Sequence, residues 1–307
     1  MKVANPLRLS ISNSDDMSKF LKRILIAMLL FSALIVGVCF LLHFLRQKPV
    51  TYDSECVFVW GDSGMYQGLD LKLLGDKMGK QILSAAGHGS GIYDFLVSQK
   101  NIPDNAVTVV SFSEAALCRN PLSDYNRKGF EIDCLKEVFL SGCSVNECIR
   151  IFSLNKKSFR YMAFSNSPHT MYPFADSLVY PEPLPLWHSL FEEPKDWFPW
   201  KAKAYTKGLQ HLFDKHSQII LVQFPFDKQV ESFAKNSINR HLSDSLKRVL
   251  IDEYALKYDS IVLHSDSLLM HDLSHMNEVG ARLFTLEIAE ILRADTVNNY
   301  FIEVMIQ

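Results

Sequence analysis

Three side chains that can act as acids, bases or metal ligands lie close together near the end of the chain. They are His271, Asp272 and His275, within the stretch HDLSHMNEVGARLFT. A separation of three lets the carboxylate of Asp272 accept a hydrogen bond from Nδ1 of His275, which fixes the imidazole tautomer and leaves Nε2 to take a proton. The pair is therefore a candidate for the acid–base half of a hydrolytic site.

Two other interpretations of this stretch are open. His271 and His275 are four residues apart, the spacing at which a helix presents two zinc ligands. However, Ser274 and Asn277 are both natural N-caps for the amphipathic stretch EVGARLFTLEIAEIL, which would leave the histidines in the preceding loop. An isolated Asp-x-x-His can also be a plain surface loop. We expect neither a metal nor a cofactor, and the hydrolytic interpretation then requires a nucleophile from elsewhere in the chain.

A nucleophile of the right kind follows the first short apolar run after the N-terminal segment. In CVFVWGDS, Gly61 would let the chain turn sharply after a strand and expose the hydroxyl of Ser63. In an open α/β sheet, reactive groups gather at the carboxyl ends of the strands. Ser63 follows the first predicted strand, and the Asp-x-x-His segment follows the last. We therefore expect Ser63 and His275 at the same edge of the sheet, where the imidazole would take the proton of the attacking hydroxyl.

The elements that would hold these groups alternate along the chain. Short apolar runs, separated by helix-like stretches, are predicted as strands at residues 56–63, 81–86, 106–113, 218–226 and 260–266. Continuous apolar strands between amphipathic helices indicate a parallel sheet with helices on both faces. The predicted fold class is α/β.

One interval is too long for an ordinary connection. Residues 158–200 are rich in proline and aromatic residues and contain Trp187, Trp197 and Trp200. Loops of this length are usually functional, so the interval is predicted to be a lid or a binding loop. The alternative is an ordered flap that packs over the sheet and has no role in ligand binding.

Two sequence blocks resemble a known family. VFVWGDS near the start and DLSHMNEVGARLFT near the end are similar to the first and last blocks of the GDSL or SGNH hydrolases. In that family, the serine of the first block is the nucleophile, and the aspartate and histidine of the last block complete a triad. The resemblance therefore implies the catalytic residues Ser63, Asp272 and His275. It also implies a flavodoxin-like three-layer α/β/α sandwich over residues 52–295, followed by a C-terminal tail at 296–307.

The family also binds the oxyanion of the tetrahedral intermediate, and this chain departs from its pattern there. The backbone N–H groups of Ser63 and of Gly89, the best match to the second-block glycine, are the implied donors. The third block of the family is Gly-x-Asn-Asp, whose asparagine donates from its side chain. Here Ser113 and Glu114 occupy that place. Glu114 has no proton to donate when ionised, so Ser113 is the candidate substitute.

The N-terminal segment predicts a membrane anchor. Residues 24–45 contain no formal charge, and about 20 apolar residues suffice to cross a bilayer. Residues 1–23 carry more Lys and Arg than the residues that follow the run, which puts the N-terminus in the cytoplasm and the remaining domain in the periplasm of a bacterial inner membrane. The alternatives are a cleaved signal peptide and a buried core helix. In an oxidising compartment, one or two disulfides are expected among the cysteines of residues 118–148.

These observations define the function that the sequence predicts. The formal net charge of −2 gives no sign of a nucleic acid partner. The expected activity is that of a membrane-anchored serine esterase or O-acyltransferase, acting on O-acyl esters, chiefly O-acetyl esters, of an envelope glycan or on a small ester. A membrane acyltransferase is a candidate partner. The alternative, favoured by the missing asparagine, is a catalytically impaired SGNH-fold protein that binds a glycan or assists envelope assembly.

Overall fold

The computed structural model describes most of the chain. The described residues are 14–44, 52–88, 90–118, 132–155, 164–165, 169, 171–173, 178, 199–265, 268–294 and 298–307. The chain divides into two compact units, Met1–Lys48 and Pro49–Gln307.

The first unit contains helix α1, which spans Ser14–Phe44. The sequence predicts a transmembrane helix at residues 24–45, which overlaps α1. Within the ranges given above, no helix is found that is both long enough and apolar enough to cross a membrane. The membrane location stays a prediction from the sequence.

The second unit is built on a six-stranded sheet in which every strand is parallel to its neighbours. The strand order is β2-β1-β3-β4-β6-β5. The strands are β1 Val57–Trp60, β2 Ile82–Ser84, β3 Val107–Ser111, β4 Gln218–Gln223, β5 Lys257–Leu263 and β6 Tyr300–Ile306. The predicted α/β class and parallel sheet are confirmed, and the topology is consistent with a flavodoxin-like fold.

Helices cover both faces of this sheet. They are α2 Ser63–Gly68, α3 Leu71–Met78, α4 Ile92–Gln99, α5 Glu114–Cys118, α6 Ile132–Leu140, α7 Val145–Asn155, α8 Pro199–Asp214, α9 Lys228–Ala234, α10 Ile238–Glu253 and α11 Glu278–Ala294. Alternate side chains of β1 point to opposite faces. Phe58 and Trp60 pack in a core with residues of α4, α6 and α8, whereas Val57 and Val59 pack with residues of α3 and α11. This arrangement gives three layers.

The C-terminal residues belong to the sheet, which corrects the sequence prediction of a tail at 296–307. β6 lies between β4 and β5, with Tyr300 in register with both Ile220 and Lys257. Tyr300, Phe301 and Ile302 are buried, because the apolar and aromatic run YFIEVMI fills the space that β5 would occupy in a simple flavodoxin-like order. As a result, β5 is an edge strand.

Most of the long interval at 158–200, including Trp187 and Trp197, lies outside the described residues, and so does the predicted lid or flap. A few of its positions contact the sheet. Ser165 forms an isolated antiparallel bridge with Ser84, the last residue of β2. The interval also overlaps the beginning of α8 at Pro199.

The predicted disulfides are not present among the cysteines that the structure describes. Cys56, Cys134, Cys143 and Cys148 are buried, and no disulfide joins any two of them. All of them lie in the core beneath α4, α6, α7 and β1, where the thiols behave as small apolar groups.

Candidate active site

Ser63 lies at a tight junction between β1 and α2. Asp62 is the N-cap of α2, and its Oδ1 accepts the N–H of Gly64 at 3.0 Å. Gly61 is required at this turn, because a Cβ there would lie 2.3 Å from Cβ of Met65. Ser63 is the first residue of the helix, so its backbone N–H has no intrahelical acceptor. The tripeptide thus forms the sharp strand-to-helix turn that the sequence predicts.

Asp272 and His275 form a close pair in the loop before α11. Nδ1 of His275 lies 2.9 Å from Oδ1 and 2.8 Å from Oδ2 of Asp272. Oδ1 also accepts the backbone N–H groups of Ser274 at 2.8 Å and His275 at 2.9 Å. Asp272 is 3% exposed. Burial acts to raise the pKa of Asp272, but the hydrogen bond and charge of His275, with the two backbone donors, hold it below its usual value.

Asn277 fixes the position of this loop. It is fully buried, and its Oδ1 accepts the N–H groups of Val279 at 3.0 Å and Gly280 at 3.1 Å, which caps α11. Its Nδ2 donates to the carbonyl of Leu268 at 2.6 Å. A Cβ at Gly280 would lie 2.5 Å from the carbonyl oxygen of Leu269. The Asn and Gly of the last sequence block therefore hold the loop that carries Asp272 and His275 against the first turn of α11.

The cap also decides where the histidines lie. α11 begins at Glu278, so His271 and His275 precede the helix, in a turn where the backbone N–H of His271 donates to the carbonyl of His275 at 2.8 Å. Two zinc ligands presented by one helix turn are therefore not found here. In the part of the chain that the structure describes, no group of three or more potential metal ligands occurs.

The loop that carries Asp272 and His275 contacts the segment after β4. The carbonyl of Leu273 accepts the N–H of Asp227 at 2.9 Å. The side chain of Leu273 packs against Val230 and Ala234 of α9. The loop that follows β5 is consequently anchored beside the carboxyl end of β4, nearer to β1.

Ser63 and His275 line one pocket. It is open to solvent, its volume is about 40 Å³, and its other lining residues are Asp62, Gly64, Ser111, Phe112, Ser113, Glu114, Gln223, Phe224, Pro225, Phe226 and Ser274. Among the described residues, no hydrogen bond joins the Ser63 hydroxyl to the imidazole. Such bonds are often long without substrate and tighten in the reacting complex. The structure thus brings Ser63 and His275 together, with Asp272 directly behind the imidazole.

Ser113 is held by another side chain of the pocket. Its hydroxyl donates to Oδ2 of Asp62 and accepts the N–H of Ala116 at 3.2 Å. A serine hydroxyl has one proton, and here that proton is directed at a carboxylate. Ser113 therefore cannot donate to an oxyanion while this bond exists, which argues against its predicted role.

Both side-chain oxygens of Glu114 are engaged by other residues. It is 3% exposed; its Oε1 accepts Nε2 of Gln223 at 2.7 Å and its Oε2 accepts Nε of Arg240 at 2.9 Å. Arg240 also binds Glu231 at 3.1 Å. Burial raises the pKa of Glu114 to about 7, although Arg240 acts in the opposite direction. The third sequence block thus forms a buried polar network instead of an oxyanion donor.

Gly89 lies outside the described residues, but its neighbour His88 adds a group that the sequence analysis did not consider. The ring centroids of His88 and His275 are 6.5 Å apart, and Nε2 of His88 lies 3.1 Å from Nε2 of Gln67. Burial and the nearby His275 lower the pKa of His88, while Asp62 raises it. The signal was present in the sequence, since His88 directly precedes the glycine of the second block.

Tyr172 is a second residue that the sequence analysis did not single out. Its ring stacks on His271 with centroids 4.1 Å apart and an interplanar angle of 11°, and it meets His275 edge-on at 5.7 Å. The carbonyl of Tyr172 accepts the N–H of Glu278 at 2.8 Å. One part of the aromatic interval 158–200 therefore contacts the loop that carries His271 and His275.

No protein-family model matches this chain, and no curated protein sequence matches it significantly. The similarity to the SGNH hydrolases stays a prediction from the two sequence blocks.

Proposed function

We propose that this protein is a serine esterase or O-acyltransferase, with Ser63 as nucleophile, His275 as general base and Asp272 as the group that orients and stabilises the imidazole. The observation that supports it best is the Asp272–His275 pair, in which both carboxylate oxygens lie within 2.9 Å of Nδ1 while His275 and Ser63 line the same pocket. A surface loop does not require a buried carboxylate with such partners.

The reaction would proceed in two steps. Oγ of Ser63 attacks the carbonyl carbon of the ester, its proton passes to Nε2 of His275, and collapse of the intermediate transfers that proton to the departing alcohol. The acyl group then remains on Ser63. Water, or the hydroxyl of an acceptor, attacks this acyl-enzyme with His275 again taking the proton. An acceptor hydroxyl gives transfer, and water gives hydrolysis.

The proposed substrates are O-acyl esters, chiefly O-acetyl esters, of an envelope glycan. Phe224, Pro225 and Phe226 provide an apolar wall in a small pocket, which suits a short acyl group. Tyr172 lies beside His275 and offers a flat ring on which the apolar face of a sugar can pack. The envelope location and a membrane acyltransferase as donor partner rest on the predicted anchor at residues 24–45.

The test is hydrolysis of p-nitrophenyl acetate by the purified full-length chain and by Ser63→Ala. The substitution keeps the backbone N–H at position 63, so it removes the nucleophile alone. We expect kcat to fall by a factor on the order of 10³ or more. Ser54→Ala, at an exposed position before β1, is the matched control and should leave the rate unchanged. Equal rates for wild type and Ser63→Ala would contradict the proposal.

One observation favours a second candidate function. The side chains at the third block, Ser113 and Glu114, are both engaged as described above, so the site lacks the side-chain donor of the family. A protein with this deficiency could have kept the pocket to bind acylated glycans without turnover. A fluorophosphonate probe separates the two: an adduct on Ser63 supports the enzyme, and no adduct together with binding of an acetylated oligosaccharide supports the binding protein.

A further inference from the structure

A second cavity lies beside the pocket of Ser63 and His275. Its volume is about 590 Å³, against about 40 Å³ for that pocket, and the segment 223–226 lines both. Sites for small molecules commonly measure about 300–1,000 Å³, so the second cavity has room for a sugar unit, whereas the smaller pocket suits a short acyl group. The residues that line the second cavity include Phe226, Glu231, Arg240, Leu268, Met270 and Glu303.

The topology of the sheet explains why a cavity forms there. From β4 the chain passes over β6 to reach β5 and then returns to β6, so the strand order reverses at this point. α10, which follows β4, packs in the core that contains Trp60, whereas α11, which follows β5, packs in the core that contains Val59. In open α/β sheets, ligands bind in the crevice at the carboxyl ends of the strands where the order reverses. The second cavity contains Gln223, the last residue of β4, and Glu303 of β6, which is in register with it.

An ion pair lines the second cavity. Nη2 of Arg240 lies 3.1 Å from Oε1 of Glu231, and the two side chains are 11% and 39% exposed. Nε of Arg240 also donates to Oε2 of Glu114 at 2.9 Å, and Glu114 lines the pocket of Ser63. A guanidinium carries five N–H groups, so it can serve both carboxylates and still donate to a ligand. The second cavity thus presents a carboxylate acceptor and a fixed donor side by side.

These groups match neighbouring hydroxyls better than they match an anion. A hydroxyl both donates and accepts, so two adjacent hydroxyls can bond at once to a carboxylate and a guanidinium that lie side by side. Three carboxylates and two cations are among the described side chains that line the cavity: Asp227, Glu231 and Glu303, with Lys228 and Arg240. An anionic ligand would gain little from this balance of charges.

The rest of the lining is largely apolar. It includes Phe224, Pro225, Phe226, Leu268, Leu269 and Met270. A pyranose ring has apolar C–H faces and a rim of hydroxyls, so it needs an apolar wall next to hydrogen-bonding groups. Ligand sites of this composition, mostly apolar with a few placed polar groups, are the usual kind in proteins.

We propose that the second cavity binds a pyranose unit of a neutral oligosaccharide, with Glu231 and Arg240 bonding to its hydroxyls. Because segment 223–226 lines both cavities, a glycan held there would present its acyl group to Ser63. The inference rests on the proposed function for that last step, since it takes the neighbouring pocket to be the ester site. Binding of the sugar itself does not depend on the activity of Ser63.

The test is isothermal titration calorimetry of the full-length chain with cellotetraose, xylotetraose and chitotetraose, none of which carries an O-acyl ester. We expect at least one to bind at millimolar concentration or below. Glu231→Ala removes the accessible carboxylate and should weaken binding by roughly tenfold or more. Met305→Trp, at a 37% exposed position of the cavity lining, should also weaken it by filling space. Glu290→Ala, exposed on α11, is the matched control and should bind as the wild type does.

Two further measurements separate the possible outcomes. Inorganic phosphate is titrated in parallel, and labelling of Ser63 by a fluorophosphonate is measured on the wild type. The inference is overturned if none of the three oligosaccharides binds, if Glu231→Ala and Met305→Trp both bind like the wild type, or if phosphate alone binds. Labelled Ser63 without sugar binding overturns the inference and leaves the hydrolase in place. Sugar binding without labelling supports the inference and overturns the hydrolase.

Discussion

Replacing Asp272 by Asn tests the proton relay while disturbing the loop as little as possible. The asparagine Oδ1 can still accept the backbone N–H groups of Ser274 and His275, which Asp272 holds at 2.8 and 2.9 Å. Its Nδ2 is a donor, however, and would face Nδ1 of His275. That nitrogen must then become an acceptor, so the imidazole proton moves to Nε2, which can no longer take the proton of Ser63.

The size of the effect follows from this change of tautomer. Because the pair is buried, with Asp272 3% exposed, solvent offers little compensation for the lost carboxylate. Loss of the correct tautomer in a serine hydrolase triad costs about 10⁴ in kcat, or about 5 kcal/mol of transition-state stabilisation. We expect a loss of this order for Asp272→Asn, with KM little changed.

The assay is the rate of p-nitrophenyl acetate hydrolysis together with the rate of Ser63 labelling by a fluorophosphonate, since labelling detects the nucleophile even when turnover is slow. Asp227→Asn is the matched control: Asp227 caps α9, a role that asparagine fills equally well, and does not contact His275. Labelling of Asp272→Asn within tenfold of the wild-type rate, with both proteins folded, would refute the relay.

Two further predictions concern the third sequence block. Ser113→Asn keeps an N-cap acceptor for the Ala116 N–H and adds an amide donor, so kcat for p-nitrophenyl acetate should rise by up to about 10². An equal rise in Ser113→Ala would show that the added amide donor does not cause the increase. The pKa of Glu114 is about 7 in the folded protein and 4.5 in the unfolded chain, so the folded state binds the proton more tightly. The free energy of unfolding of the wild type should therefore fall by about 3 kcal/mol as the pH rises from 4.5 through 7. Urea unfolding of Glu114→Gln should lack this decline, and parallel curves for the two proteins would contradict the prediction.

The local features of the site could be predicted because they depend on neighbours in sequence. Asp272 and His275 are three residues apart, and their hydrogen bond requires only that the loop between them turns. Asn277 is a predictable cap because its side chain is one of those that satisfy the first N–H groups of a helix. The requirement for Gly61 likewise follows from the sharp turn between β1 and α2.

The sheet could be predicted only in part, since strand order depends on contacts between distant residues. The apolar run at β6 has the same length as β5, seven residues, but it follows the last predicted helix and the resemblance ends before it. Its place between β4 and β5 is determined by pairing of Tyr300 with Ile220 and Lys257, residues 80 and 43 positions away. Nothing in the local pattern of YFIEVMI distinguishes such a strand from an extended tail.

The pocket has two parts with different catalytic groups: the residues proposed to transfer the proton, and the residues next to the expected oxyanion. The effect of each part on kcat can be compared. The groups proposed for the proton relay lie together: a buried carboxylate, an imidazole that it orients, and a serine that lines the same pocket as the imidazole. On the oxyanion side, the Ser113 proton is directed at Asp62 and Glu114 accepts two hydrogen bonds. Loss of one oxyanion donor costs about 10² to 10³ in kcat, which is less than the cost of losing the relay. A hydrolase with this arrangement should be slow and still measurably active, so Ser113→Asn should raise its rate and Asp272→Asn should lower it about 10⁴-fold.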